Sequence, residues 1–231
     1  MSIAIIPARG GSRRIPRKNI RPFAGRPMIC WSIDAARASG CFERIVVSTD
    51  DDEIAEVARS AGAEVPFRRP PELADDRAET VPVIAHAVEW LRANGAVFDE
   101  ACCIYATAPM LSAEDLVDGR RILRQCVADY AFGCTSFPFP VQRALVRDEQ
   151  GRVAPMFPEF INFRSQDLIE AFHDAGQFYW GRADAFASRT PIFGPTSVAL
   201  KIPRHRVQDI DTDEDWTRAE RLFRANKDTR P

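Results

Sequence analysis

Residues 9 to 26 carry Arg9, Arg13, Arg14, Arg17, Lys18, Arg21 and Arg26 and no acid, whereas residues 209 to 215 carry Asp209, Asp211, Asp213, Glu214 and Asp215 and no base. A run of cations suits several phosphate groups, and two carboxylates in alternate positions suit a hard divalent cation. In the basic stretch, Pro7-Ala8-Arg9-Gly10-Gly11-Ser12-Arg13-Arg14-Ile15-Pro16-Arg17-Lys18-Asn19, the two glycines let backbone N–H groups turn toward an anion, and Ser12 adds a hydroxyl donor. The stretch contains neither G-x-x-x-x-G-K-[ST] nor G-x-G-x-x-G, which weighs against a P-loop ATPase and a dinucleotide-dependent dehydrogenase. The bland alternative is a solvated loop, because only Lys18, Lys201 and Lys227 of the 31 basic residues are lysines and any surface loop here collects arginines. One of those lysines nevertheless falls in this loop, where a compact ammonium makes a point contact to phosphate, and that favours an anion site.

Asp209 and Asp211, in an extended segment, project the same way with Cα atoms roughly 6.5 Å apart. Two such carboxylates can share one Mg²⁺ whose other positions go to water and phosphate oxygens. Thr212 and Asp215 fit a capping box, so Thr212, Asp213, Glu214 and Asp215 are expected to start a helix whose Trp216, Ala219 and Phe223 pack inward. The run Asp50-Asp51-Asp52-Glu53 also begins a helix and is expected to do no more than complement its dipole. His86, His173 and His205 show no nucleophile or metal-ligand spacing; His86 reads as a helical residue and His173 as one that could line a ligand pocket.

Elements that could hold two charged segments together are visible in the hydrophobic pattern. Short Ile- and Val-rich runs alternate with helical periods, which predicts βαβ units and a mostly parallel α/β sheet. Strands are expected at Ser2 to Ile6, Arg44 to Ser48, Ala101 to Tyr105 and Ser197 to Ile202. Helices are expected at Pro27 to Ser39, Asp51 to Ala61, around Ile84, Ala87, Val88 and Leu91, at Ser112 to Gln125, and from Asp213 to about Ala225. From Tyr130 to about Pro203 the pattern changes to short strands, prolines and aromatics, as in an inserted lid. The basic loop, about twenty residues, is long for a βα connection, and such loops at strand carboxyl ends are where open α/β sheets take ligands.

The chain's 231 residues suit one large domain, and its formal charge of −2 argues against a nucleic-acid binder acting through global charge. No stretch of about 18 apolar residues offers a membrane span, and the start lacks the pattern of a signal peptide. The six cysteines form no C-x-x-C pair and mostly lie in apolar stretches, which predicts reduced thiols in a cytoplasmic protein.

The segment Ile5 to Ile20 resembles the signature of the CMP-sugar synthetases, cytidylyltransferases acting on sialic and related nonulosonic acids, with Arg13 where lysine is usual. Val46-Val47-Ser48-Thr49-Asp50, Arg69-Pro70-Pro71-Glu72-Leu73-Ala74 and Asp209-Ile210-Asp211-Thr212 extend the resemblance along the chain. It implies a Rossmann-like three-layer αβα fold of the nucleotide-diphospho-sugar transferase type, one domain over 1–231 with an inserted lid or dimerisation region at about 137–195, and a homodimer. It further implies that Ala8, Arg9, Gly10, Gly11, Ser12, Lys18 and Asn19 hold CTP, with Arg69, Ala74 and Thr80 near the cytosine. Arg9, Arg13, Lys18 and Asp211 would be catalytic, and Mg²⁺ would sit on Asp209 and Asp211. No side chain stands out as a general base.

Tyr105 stands where sialic-acid synthetases usually carry glutamine, and Arg164-Ser165-Gln166 with the later run to Gln177 is similar to the pseudaminic acid cytidylyltransferases. Tyr105, Arg143, Arg164, Ser165, Gln166 and Gln177 are therefore expected at the sugar, with Arg143 and Arg164 on its carboxylate. On residue type alone, Arg69, Arg143 and Arg164 could equally be surface arginines. The implied reaction moves CMP from CTP to the anomeric hydroxyl of a nonulosonic acid, most closely pseudaminic acid. The rivals are N-acetylneuraminate or another sialic-type acid as acceptor, and a non-catalytic nucleotide-binding regulator. The reading requires residues 9–18 and 209–211 to meet at one site.

Overall fold

A strand apolar on both faces has to be covered on both, and Ser2–Pro7 (β1) meets that condition with Ile3, Ala4, Ile5 and Ile6 all buried. The computed structural model describes residues 1–75 and 78–228. After β1 come a small hairpin of β2 (Pro22–Phe23) and β3 (Arg26–Pro27), then α1 (Met28–Ala38), β4 (Arg44–Ser48), α2 (Asp52–Ser60) and α3 (Thr80–Ala93). β5 (Glu100–Ile104), α4 (Ala113–Gln125), β6 (Tyr130–Ser136), β7 (Leu145–Arg147) and β8 (Val153–Pro155) follow. The described chain closes with β9 (Phe172–Arg182), α5 (Ala183–Ala187), β10 (Ser197–Lys201) and α6 (Asp213–Asp228).

The main sheet runs β10-β6-β9-β5-β1-β4, with helices on both faces. β1 is parallel to β4 and β5, and β10 to β6, as the pattern predicts. β9 lies antiparallel between β5 and β6. The expected insertion at 137–195 is therefore narrower than the sequence suggests. Its stretch Phe178-Tyr179-Trp180 is buried and sends Trp180 into one core and Tyr179 into the other, so it is an inner strand of the sheet. What stands apart is the arm before Phe172, built on the β7–β8 hairpin and three 3-10 turns. It leaves Phe139, Leu145, Val153, Ile161 and Ile169 exposed.

Helix starts follow local chemistry. Asp51 caps α2 by accepting from the Ile54 N–H (2.9 Å), and Ser112 and Asp115 form a reciprocal capping box on α4. Thr212 and Asp215 form the expected box on α6, the Thr212 N–H donating to Asp215 at 2.9 Å and the Asp215 N–H to Thr212 Oγ1 at 3.2 Å. Five cysteines are buried; Cys126, expected among small buried hydrophobes, is exposed after the end of α4.

A third, smaller core positions the site. Ile15 of the basic loop, Phe23, Met28, Met110, Ile210, Trp216, Ala219 and Phe223 form one buried cluster. Phe23 meets Trp216 and Phe223 edge to face at 5.5 and 5.4 Å, and Trp31 meets Phe223 at 4.7 Å. Ile15 and Ile210 are almost fully buried, each contributing roughly 1.5–3 kcal/mol. Their shared burial draws the basic loop and the acidic segment together in addition to the charge pairing at the surface.

Candidate active site

The loop leaves β1 as an extension of the sheet, the Ala8 N–H donating to Ser48 O at 2.9 Å. Gly10 then presses against the start of α2. Its N–H donates to Asp50 Oδ1 (3.0 Å), and a Cβ at Gly10 would lie 2.6 Å from Asp51 Oδ2, so only glycine permits this approach. The expectation that the Gly10 amide faces a ligand anion is corrected: it faces Asp50. Arg17 reaches the same helix end, donating to both Asp51 oxygens (2.5 and 2.9 Å) and to Glu53. This bond holds the Asp51 carboxyl down at about 2 and pushes the Arg17 guanidinium further up. The acidic run 50–53, expected to serve only a helix dipole, thus also clamps the loop. The signal was available, because acids at the carboxyl end of the strand beside β1 have the basic loop as their neighbour.

A cavity of about 500 Å³ opens at the carboxyl end of β1. Arg9, Ser12, Arg13, Arg14, Lys18 and Asn19 form its loop wall, and the Asn19 amide donates to Arg9 O at 2.9 Å. Arg69, Thr80 and Tyr105 line the rest. Ala8, Gly10, Gly11 and Ala74 do not line it; the first three shape the loop backbone, and Ala74 ends the turn Pro71–Leu73. Ala78, Val83 and Thr107 line it without having been expected.

Arg69 is buried, which removes the surface-arginine reading. Its Nε donates to Ser48 Oγ (3.1 Å), another guanidinium nitrogen donates to Ser48 O, and burial pulls its pKa down to about 10. Tyr105 and Thr80 share a hydroxyl hydrogen bond of 2.7 Å, and burial raises the Tyr105 phenol. Behind them Tyr179, edge to face with Tyr105 at 5.5 Å, donates to Asp174, a pair that no sequence motif announced. A register shift in the β6–β9 pairing sits beside this turn of β9 and gives Asp174 its reach.

The other expected sugar residues are not brought to this cavity. Gln177 is buried in β9, where its amide donates to Arg206 O at 2.6 Å. Arg143, Arg164, Ser165 and Gln166 are exposed on the arm, outside the cavity lining. Arg143 donates to Phe163 O at 2.5 Å and Arg164 pairs with Asp167 at 2.9 Å, so both are held by the arm's own turns.

The acidic pair does reach the loop. Asp211 accepts from Arg14 at 2.6 Å and from Lys18 at 3.4 Å across sequence separations of 197 and 193 residues. Ile210 turns into the third core between the two aspartates, Asp209 is exposed and Asp211 half-buried. This donor set fits magnesium: hard carboxylate oxygens, with Asp211 already meeting one cation at each of its oxygens, Arg14 at Oδ2 and Lys18 at Oδ1, beside a cavity with room for phosphate oxygens. Among the described residues no group of three or more His, Cys, Asp or Glu forms a self-sufficient cage, so a metal here would take its remaining ligands from water and substrate. No helix among the described residues is long and apolar enough to cross a membrane.

Comparison with known proteins bears on the family and the fold. A family profile described as cytidylyltransferase matches residues 3–132. A pseudaminic acid cytidylyltransferase of Campylobacter jejuni is 42% identical over 228 residues, covering 99% of this chain and 98% of its own. A CMP-N,N'-diacetyllegionaminic acid synthase of Legionella pneumophila is 30% identical, covering 98% and 97%. In fold, the chain is similar to a CMP:2-keto-3-deoxy-manno-octonic acid synthetase complexed with CTP, with a TM-score of 0.69 at 17% identity over 97% of this chain and 99% of that one.

Proposed function

This chain belongs to the cytidylyltransferase family, and from that premise we propose that it transfers CMP from CTP to the anomeric hydroxyl of a nonulosonic acid, pseudaminic acid first, releasing pyrophosphate. The observation that carries the reading is the meeting of Arg14 and Lys18 with Asp211 beside the cavity. A triphosphate needs cations and its metal needs carboxylates, and both are within one loop's reach. Arg9, Ser12, Arg13 and Lys18 bind and align the triphosphate and offset charge on the departing pyrophosphate, since phosphoryl-type transfer asks mainly for position and electrostatics. Asp209 and Asp211 would hold magnesium, which when bound supplies phosphate charge neutralisation and acidifies the attacking hydroxyl. Arg69 and Asn19 are assigned to the nucleoside, and Tyr105 with Thr80 to the boundary between base and sugar.

The preference for pseudaminic acid rests on the relative at 42% identity. A legionaminic- or sialic-type acceptor is the second reading, favoured by the relative from Legionella at 30%. A homodimer accounts for the exposed apolar arm and for Arg143 and Arg164, which a second copy's cavity could receive. Buried thiols and a CTP substrate suit the cytoplasm. The test is pyrophosphate release with Mg²⁺, each nucleoside triphosphate and a panel of nonulosonic acids. Turnover confined to CTP is expected, fastest with pseudaminic acid. No turnover with any acid, or equal turnover with UTP, would sink the reading.

A further inference from the structure

We propose that Arg17 and Asp51 are positioning residues of the triphosphate loop: Arg17 spends its charge on the start of α2 rather than on phosphate, and this strut holds the loop in its anion-binding shape. The inference rests on the nucleotide reading of that loop.

Four observations converge. Arg17 makes two bonds to the Asp51 carboxylate and a third to Glu53, and it does not line the cavity that Arg13, Arg14 and Lys18 line on either side of it in sequence. Its backbone is in the left-handed region (φ 56°), a conformation that a non-glycine residue keeps only when its surroundings hold it there. Gly10 is tied to Asp50 through its N–H, and its missing side chain is what lets the loop lie on Asp51. Between these two attachments Ile15 is sunk in the third core. The loop is thus pinned at Gly10, Ile15 and Arg17, and the pins leave Ser12, Arg13 and Lys18 on the cavity wall.

The electrostatics give the strut a purpose. Arg9, Arg13, Arg14 and Lys18 crowd like charge onto one cavity wall, a repulsion that Asp211 offsets at Arg14 and Lys18, and ordering the loop only at binding would cost affinity. Asp50, Asp51 and Glu53 offset that repulsion from behind the backbone, outside the cavity, so the loop is ordered before its ligand arrives.

The experiment turns on a sign. Asp51→Asn keeps an equally good helix cap but removes the charge that Arg17 grips. If Arg17 were a phosphate ligand held back by Asp51, or if bulk charge alone mattered, this variant would bind anions more tightly. The strut requires weaker binding of inorganic triphosphate by calorimetry, about tenfold. Arg17→Ala should lose as much, Arg17→Lys should recover part, and the double variant Arg17→Ala/Asp51→Asn should be no worse than either single change, as coupled partners require. In turnover the KM for CTP should rise while that of the sugar stays. Wild-type or tighter triphosphate binding by Asp51→Asn overturns the proposal, as does Arg17→Ala binding like wild type. A wild-type chain that takes up triphosphate but does not prefer CTP to UTP fails the cytidylyl reading instead and leaves the strut intact.

Discussion

Asp211 is held at its backbone, its N–H donating to Asp215 at 3.1 Å, while its carboxylate faces the loop and accepts from Arg14 and Lys18. Asp211→Ala should therefore remove pyrophosphate release by about a hundredfold or more and cost less than about 1 kcal/mol in thermal unfolding, the usual worth of a partly exposed ion pair. Asp51 differs, because Arg17 lowers its carboxyl from 3.8 to about 2. A carboxyl depressed on folding contributes stability above its unfolded value and loses it as the pH falls through its folded one. The melting temperature of wild type should thus exceed that of Asp51→Asn at neutral pH, and the gap should close between about pH 4 and pH 2. An unchanged gap at pH 2 would assign the difference to something other than this charge. Individual residue types were legible in the sequence, including the basic loop and the Asp-Ile-Asp segment. What was not legible is that Ile15 and Ile210 choose each other, because nothing in either neighbourhood specifies so distant a partner.

Elements read well where a local rule decides them. β4 matches the expected Arg44 to Ser48, α1 and α2 match within a residue or so at each end, and both predicted capping residues, Ser112 and Thr212, cap their helices. β9 did not read, because strand direction is a property of topology and an aromatic run buried on both faces looks alike in either sense. Its packing offers a test. Gly119 on α4 faces β9 so closely that a Cβ would lie 2.6 Å from the Phe178 ring and 2.9 Å from Trp180. Gly119→Ala gains helix propensity yet should destabilise by about 1–3 kcal/mol through overpacking, seen as a lower urea midpoint at unchanged slope. A stabilised variant would mean that α4 and β9 do not meet as described.

Across the whole molecule, the near-neutral total of −2 conceals a separation that folding undoes, since the basic and acidic segments pair with each other. The arm is the unspent remainder, with Ile169 and Phe139 about four-fifths exposed. If it joins two copies, Ile169→Asp with Phe139→Asp should shift sedimentation from dimer to monomer, and should depress turnover through the sugar KM while triphosphate binding stays. A wild-type monomer would remove the dimer from the account. The closure of the site by α6 also sets a schedule. After adding Lys18 the ribosome must extend the chain by 193 residues before Asp211 exists to receive it. Until then Phe23 and Trp31 lack the aromatic cover of Trp216 and Phe223. A nascent chain can lay down β1, β4 and β5, yet its cationic loop waits without the carboxylates opposite it. Catalytic competence should therefore appear only once α6 has been added and packed, and abruptly.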